Sequence, residues 1–182
     1  MNENSIPDTI PDTKDWTVVL HATCDECGID VRALSPGQIA VLVRESATHF
    51  SLALSAPGAR SRPGSTVWSA HEYCAHVAEM YTVMSDRLAL MLARTAPVFE
   101  DWDQDAAAAQ NDYAAIPTGE VDAMLKDSAA GFADALEALS DEQLPRMGTR
   151  SNGAVFTTTT LAQYAWHDAA HHLHHDLGVA AS

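Results

Sequence analysis

The sequence predicts an all-α protein, a four-helix bundle with a small β-hairpin before the last helix. Four segments carry apolar residues at the spacing that gives a helix one buried face. The links between these segments are short apart from residues 95–117. Because a short link joins antiparallel neighbours and a long link allows a crossover, we expect the helices to run up-down-down-up.

The first two predicted helices each begin at a capping box. Ser35 and Gln38 form the first box, and Ser69 and Glu72 form the second. In such a box the serine hydroxyl and the side chain three residues later each accept a hydrogen bond from a free backbone N–H group. The two helices are expected over residues 35–55 and 69–93.

The third predicted helix begins near Thr118, where Glu120 lies at the positive end of the helix dipole. The fourth is expected to begin at a box formed by Thr160 and Gln163 and to end near Gly178. Both segments carry an apolar stripe at helical spacing. The four helices together account for most of the chain.

Three shorter elements are predicted outside the bundle helices. Residues 147–158 indicate a β-hairpin, because Asn152 and Gly153 form a turn between two short strand-like runs. The alanine-rich part of 95–117 predicts an extra short helix, and residues 16–20 predict a short strand. We divide the chain into an N-terminal extension, 1–34, packed on the bundle, and the bundle itself, 35–182.

The charge and composition restrict the partners. A formal charge of −15 over 182 residues disfavours nucleic acid and anionic membrane surfaces, because both are negatively charged. The chain has no apolar run of membrane-spanning length and no signal-peptide pattern at its start. Its three cysteines cannot all be paired with one another in disulfides. These features favour a cytoplasmic protein that acts on a small molecule.

Histidines are concentrated in the last predicted helix, where five of the nine lie between His167 and His175. His167 and His171 are four residues apart, so they lie one turn apart on the same helix face and can bind one metal ion together. A real site requires a third ligand from another helix. We choose His76 over His71, because His76 lies beside the apolar stripe whereas His71 is in the first, more hydrated turn.

Four other residues are candidates for the pocket around this site: Tyr73, Tyr164, Asp168 and His174. The two tyrosines lie close to the ligands in helical register, although aromatic residues of a bundle usually serve as core. Asp168 can orient an imidazole or a water molecule, or it can be a surface carboxylate. His174 is either an outer partner of the ligands or a surface residue, and His172 and His175 are expected at the surface.

Cys24 and Cys27 form a CxxCG turn, the type of turn that binds zinc or iron when two further ligands are present. The sequence leaves three interpretations open, namely a second metal site, a redox pair, or reduced structural thiols. The segment lacks the βαβ context of thioredoxin-like redox motifs. The partners that would complete a metal site are not evident from the sequence.

The arrangement of Trp68-Ser69, His76, Tyr164-Ala165-Trp166-His167 and His171 resembles the DinB-like superfamily of metal-binding four-helix bundles, over about residues 35–177. That group includes mycothiol-dependent maleylpyruvate isomerases and thiol S-transferases. The resemblance implies that His76, His167 and His171 bind one divalent ion, usually zinc or nickel, and that the protein is a homodimer. The hairpin and the CxxCG segment look like those of an actinobacterial branch.

The resemblance and the histidines suggest a metal-dependent thiol S-transferase or isomerase, with mycothiol as co-substrate. The catalytic group would then be a water or thiolate on the metal, because no protein nucleophile is evident in the sequence. Two alternatives remain open, a metal-dependent hydrolase and a non-catalytic protein that binds a metal or small molecule. A structural bundle with accidental histidines is a third.

Overall fold

The computed structural model describes residues 14–179 and has five α-helices and three β-strands in this part of the chain. The helices are α1 (Pro36–Leu54), α2 (Ala70–Ala93), α3 (Gln104–Gln110), α4 (Thr118–Glu137) and α5 (Thr158–His171). The strands are β1 (Val98–Phe99), β2 (Met147–Arg150) and β3 (Val155–Thr157). A π-helical turn, His172–Asp176, extends α5.

The predicted all-α four-helix bundle is confirmed. Helices α4 and α5 each pack against both α1 and α2. Phe50, Tyr81, Phe132 and Leu161 are almost completely buried where these helices meet. The apolar stripes predicted from the sequence therefore meet in one core, which fixes the helices that carry the functional side chains.

The capping boxes of α1 and α2 are confirmed. The Ser35 hydroxyl accepts a hydrogen bond from the Gln38 N–H, and the Gln38 side chain accepts one from the Ser35 N–H. Ser69 and Glu72 make the same reciprocal pair at α2. These side chains satisfy backbone donors that the first helical turn leaves free, so both helices begin where predicted.

The predicted hairpin is also confirmed, as β2 and β3 pair antiparallel. The long connection between α2 and α4 contributes β1, which pairs parallel to β2, and it contains the expected short helix α3. This sheet holds the connection beside the start of α5. Trp102, between β1 and α3, can therefore contribute to the surroundings of His76.

Two local predictions were wrong. Residues Trp16–Leu20 form a 3₁₀ helix and not a strand, because Asp15 accepts a hydrogen bond from the Thr17 N–H and caps a helical turn. Helix α5 begins at Thr158 and not at Thr160, because the box is formed by Thr157 and Thr160 directly after β3.

The two-part division of the chain stays a prediction. Residues 1–13 and 180–182, which belong to its two ends, lie outside the described residues. In the described part of the extension, Trp16 packs against the rings of His167 and His171 on α5. Among the described helices, none combines the length and the apolar character needed to cross a lipid bilayer.

Candidate metal centres

Among the potential metal ligands of α5 and the turn that follows it, two pairs spaced by four residues are offset from each other by a single residue. One pair is His167 and His171, and the other is Asp168 and His172. Consecutive residues of an α-helix point about 100° apart, so the two pairs face different directions. The structure accordingly places them in two separate groups of metal-ligating side chains.

The first group, here called the Cys–His cluster, comprises Cys24, Cys27, His167 and His171. One ligand atom from each of these four residues lies within 4.8 Å of the others. Cys24 Sγ lies 4.0 Å from His171 Nδ1, and Cys27 Sγ lies 3.6 Å from His167 Nε2. The fold thus brings the CxxC turn onto α5, although the two segments are 140 or more residues apart in sequence.

The backbone of residues 24–29 forms a closed turn. The Gly28 N–H donates to the Cys24 carbonyl at 3.0 Å, and the Cys24 N–H donates to the Ile29 carbonyl at 3.0 Å. Gly28 has a φ of 74°, a left-handed conformation that glycine adopts without steric cost. This turn keeps both thiols on the side that faces α5.

Burial determines the protonation of the Cys–His cluster. It raises the pKa of the Cys27 thiol to about 11, which does not fit a reactive redox thiol. Burial, assisted by the neighbouring His171, lowers the pKa of His167 to about 4, and burial also lowers that of His171. Both imidazoles are therefore neutral near pH 7 and can offer a lone pair to a cation.

The second group, here called the His–Asp cluster, comprises His76, Asp168 and His172. Asp168 Oδ1 lies 3.3 Å from His76 Nε2 and 3.7 Å from His172 Nε2. On its other side, His172 Nδ1 lies 2.7 Å from Asp176 Oδ2. A proton on Nδ1 donated to Asp176 leaves the His172 Nε2 lone pair directed at the cluster.

His76 provides an independent test of whether these residues suit a metal. Its side chain is fully buried, and its Nδ1 has no hydrogen-bond partner among the described residues. Such unpaired buried nitrogens are rare in folded proteins and are often explained by an ion or water. Trp102 stacks on the ring at a centroid distance of 5.4 Å, and Trp68 packs at 5.3 Å. Nε2, and not the unpaired Nδ1, is the nitrogen beside Asp168, so the cluster fits a bound cation through Nε2, the carboxylate and His172.

Asp168 supplies negative charge to the His–Asp cluster. Burial alone would raise its pKa, but His76 and the neighbouring histidines outweigh that effect and lower the pKa to about 2. Its side chain retains 20% exposure to solvent. Asp168 is therefore a carboxylate that has one imidazole, His76, on one side and another, His172, on the other.

The sequence predicted that His76, His167 and His171 bind one ion. The structure places these three histidines in two different groups. It brings His167 and His171 together with the two cysteines, and it groups His76 with Asp168 and His172. Sequence reasoning treated His172 as a surface residue, although its side chain is only 14% exposed. The available signal was its spacing of four residues from Asp168.

The other predicted pocket residues have diverse surroundings. Tyr73 packs against the His172 ring at 4.9 Å, beside the His–Asp cluster. Tyr164 packs against Phe156 and accepts from Arg150 at 3.4 Å. His174 Nδ1 lies 2.6 Å from the Val179 carbonyl oxygen and belongs to neither cluster.

The environment expected for His71 was wrong. His71 is buried rather than hydrated, because the chain covers the first turn of α2. Its Nε2 lies 3.1 Å from the Tyr113 carbonyl oxygen and 3.3 Å from Arg60 Nη1. His71 is therefore bound to structural partners and belongs to neither cluster.

Comparison with family models gives a match to the DinB superfamily over residues 41–177. The chain belongs to the DinB superfamily. A solved structure with a similar fold is YfiT from Bacillus subtilis, described as a probable metal-dependent hydrolase with an unusual four-helix bundle topology. The two chains are 19% identical with a TM-score of 0.70, over 79% of this chain and 85% of YfiT. A comparison with curated proteins gives no significant match.

The DinB superfamily assignment confirms the resemblance noted from the sequence, and the likeness to YfiT shows a shared fold. The fold places groups of potential metal ligands on α2 and at the end of α5. The DinB fold alone does not determine a reaction, so the function of this protein depends on the chemistry of these groups.

Proposed function

We propose that this protein is a metal-dependent hydrolase and that the His–Asp cluster is its reacting centre. One observation carries the proposal: two imidazoles and a carboxylate converge from α2 and the end of α5. Two histidines and one carboxylate form the ligand set of several zinc hydrolases. The description of YfiT as a probable metal-dependent hydrolase supports the same class of reaction.

The residues of the cluster have distinct tasks in this proposal. His76 and His172 provide imidazole nitrogen ligands, and Asp168 provides one negative charge. Asp176 accepts the Nδ1 proton of His172 at 2.7 Å and so fixes the orientation of that ring. A divalent ion in this set would supply Lewis acidity towards a carbonyl group and would favour the nucleophilic form of a water molecule or thiol.

Aromatic side chains hold the histidines in place. Trp102 lies parallel to the His76 ring, with an interplanar angle of 6°, and Tyr73 packs against His172. These contacts restrict ring rotation and exclude water from one side of the cluster. Ligands held in this way need little rearrangement when the ion binds.

The thiol S-transfer predicted from the sequence is the second candidate, with mycothiol as the thiol. Zinc or nickel as the metal and a homodimer as the assembly also stay predictions. The ligand set argues for a divalent ion without selecting one, because imidazole and carboxylate suit several transition metals. An assay must therefore vary both the metal and the thiol.

In the test, the wild type and the Asp168→Asn and Asp127→Asn variants are each loaded with zinc or nickel, and their hydrolytic activities are compared. Asp127 is an exposed carboxylate on α4, so its variant changes the charge equally without touching the cluster. We expect metal-dependent hydrolysis of esters, amides or lactones, lowered about ten- to hundredfold by Asp168→Asn only. Turnover that needs an added thiol would favour S-transfer. Hydrolysis that is unaffected by Asp168→Asn would refute the proposed centre.

A further inference from the structure

The Cys–His cluster is not used by the proposed reaction. We propose that Cys24, Cys27, His167 and His171 bind a second metal ion, a structural zinc that holds the N-terminal segment against α5. This inference is independent of the proposed function, because it concerns different side chains on a different face of the helix. It rests on ligand distances, ligand chemistry and the position of the cluster in the fold.

The distances agree with one tetrahedral ion. Zinc lies about 2.3 Å from thiolate sulfur and about 2.0 Å from imidazole nitrogen, which places sulfur and nitrogen about 3.5 Å apart around a tetrahedron. Two of the sulfur–nitrogen distances in the cluster are 3.6 and 4.0 Å, and all four ligand atoms lie within 4.8 Å of one another. Small side-chain rotations are enough to bring all four atoms to bonding distance.

The ligand set is that of a structural zinc site. Two cysteines, which release their thiol protons when zinc binds, and two imidazoles complete a tetrahedron, so the ion keeps no open position for a substrate. Cys24, His167 and His171 are buried, with exposures of 4%, 2% and 6%. Trp16 covers both imidazoles, with ring centroids 5.5 Å from His167 and 4.8 Å from His171. A closed and shielded set of this kind stabilises a fold.

Glu26 acts as an outer partner of this site. Its Oε2 lies 3.7 Å from His171 Nε2, while His171 Nδ1 faces Cys24. Metal-bound histidines commonly direct their second nitrogen at a carboxylate, which fixes the tautomer and the ring orientation. Glu26 and His175 can also form a ligand group with His171, but both are exposed. The buried cluster with two sulfur ligands is the better zinc site.

The position of the cluster gives the ion a structural task. The described part of the extension contains one short 3₁₀ helix before α1, so regular secondary structure contributes little to its order. An ion shared between the CxxC turn and α5 joins segments separated by 140 and 147 residues. It also fixes the end of α5 and the turn that follows, which carry Asp168 and His172 on a neighbouring face. Zinc at this site would therefore support the geometry of the neighbouring cluster.

Cobalt substitution tests the site by absorbance and needs no enzymatic activity. The reduced full-length protein is loaded with Co²⁺, and the charge-transfer band of cobalt–thiolate bonds is recorded in the near ultraviolet. We expect this band at equal strength in the wild type, in Asp168→Asn and in Cys74→Ala, and its weakening or loss in Cys27→Ala, which keeps only one thiolate ligand. Cys74 is a buried cysteine outside both clusters and serves as the matched control.

The spectra give unambiguous outcomes. A cobalt-loaded wild type without a thiolate band would overturn the proposal, whatever the folding of the variants. A band of unchanged strength in Cys27→Ala, or one that disappears in Cys74→Ala, would also overturn it. A band retained in Asp168→Asn supports a centre distinct from the His–Asp cluster. An inactive but cobalt–thiolate-positive protein would contradict the proposed function and leave this inference standing.

Discussion

His171 and His172 are neighbours in the chain, yet they serve two different clusters. Their ring centroids are 5.8 Å apart and their planes are inclined at 81°. His171 directs Nδ1 towards Cys24, whereas the Nε2 of His172 lies near Asp168. The rotation of about 100° between consecutive helical residues produces this division. Two metal-ligand groups can therefore share one turn of helix.

Single substitutions at these neighbours should remove different ions. We expect His171→Ala to abolish the cobalt–thiolate band and His172→Ala to retain it, while each variant loses one metal equivalent. The measurement is metal content by mass spectrometry, together with the cobalt spectrum. The exposed His21 provides the control variant His21→Ala, which should retain both ions. Loss of the same ion in both neighbour variants would contradict the division into two centres.

The helices could be predicted because their signals are local. The Ser35 and Ser69 boxes and the apolar stripes each lie within one segment, so short-range chemistry indicated α1 and α2. The start of α5 was misjudged by two residues, because threonines at both 157 and 160 can cap a helix and only the end of β3 decides between them.

The metal centres could be predicted only in part. The density of histidines indicated α5, but two ligand pairs are offset there by one residue, and sequence reasoning considered only the pair made of histidines. In the structure, Asp168 and His172 lie beside His76, where the prediction placed His167 and His171. The partners of Cys24 and Cys27 could not be predicted, because they are more than a hundred residues away and the packing of the extension brings them together.

The buried ion pair at the start of α2 predicts lower stability in acid. Glu72 accepts from Arg62 Nε at 2.9 Å and from the Ser69 N–H at 2.9 Å. Burial opposes the charge, yet these bonds lower the Glu72 pKa below its usual value. The unfolded chain therefore binds this proton at higher pH than the folded one. The resulting stability is complete above the usual glutamate pKa and is lost as the pH falls through the lowered value.

Glu72→Gln should reduce the free energy of unfolding by about 2 kcal/mol near neutral pH, because it removes the negative charge that pairs with Arg62. Urea unfolding measures the difference, which should begin to shrink as the pH falls below the usual glutamate pKa of about 4.3. Glu120→Gln, at the equivalent position of the exposed first turn of α4, is the control and should change stability much less. A difference that does not depend on pH would contradict the ion-pair explanation.

Two glycines should respond to alanine with opposite signs. A Cβ atom at Gly148 in β2 would lie 2.7 Å from Phe99 Cε1 and 2.8 Å from Met91 Cγ, closer than carbon atoms can approach. We expect Gly148→Ala to lower the free energy of unfolding by about 1–3 kcal/mol. Gly131 in α4 has no atom within 4 Å of its Cβ position, so Gly131→Ala should raise stability by about 0.5–1 kcal/mol. Thermal and urea unfolding of both variants measure the two signs.

Removal of zinc from the Cys–His cluster should affect one segment more than the rest of the protein. A ligand that binds only the folded state, present at a hundred times its dissociation constant, adds about 2.7 kcal/mol to the free energy of unfolding. Chelation should therefore lower the stability by a similar amount.

The loss of structure should begin locally, because residues 16–31 contain one short 3₁₀ helix and depend on their contacts with α5, whereas α1 and α4 pack in the core. Hydrogen exchange measured by mass spectrometry should therefore show faster exchange at 16–31 after chelation, with α4 unchanged. Cys27→Ala should exchange rapidly at 16–31 with or without zinc, and Cys74→Ala should match the wild type. Equal protection of 16–31 in the zinc-loaded and chelated wild type would show that the segment is held by packing alone, with Trp16 against the two histidine rings as its main contact.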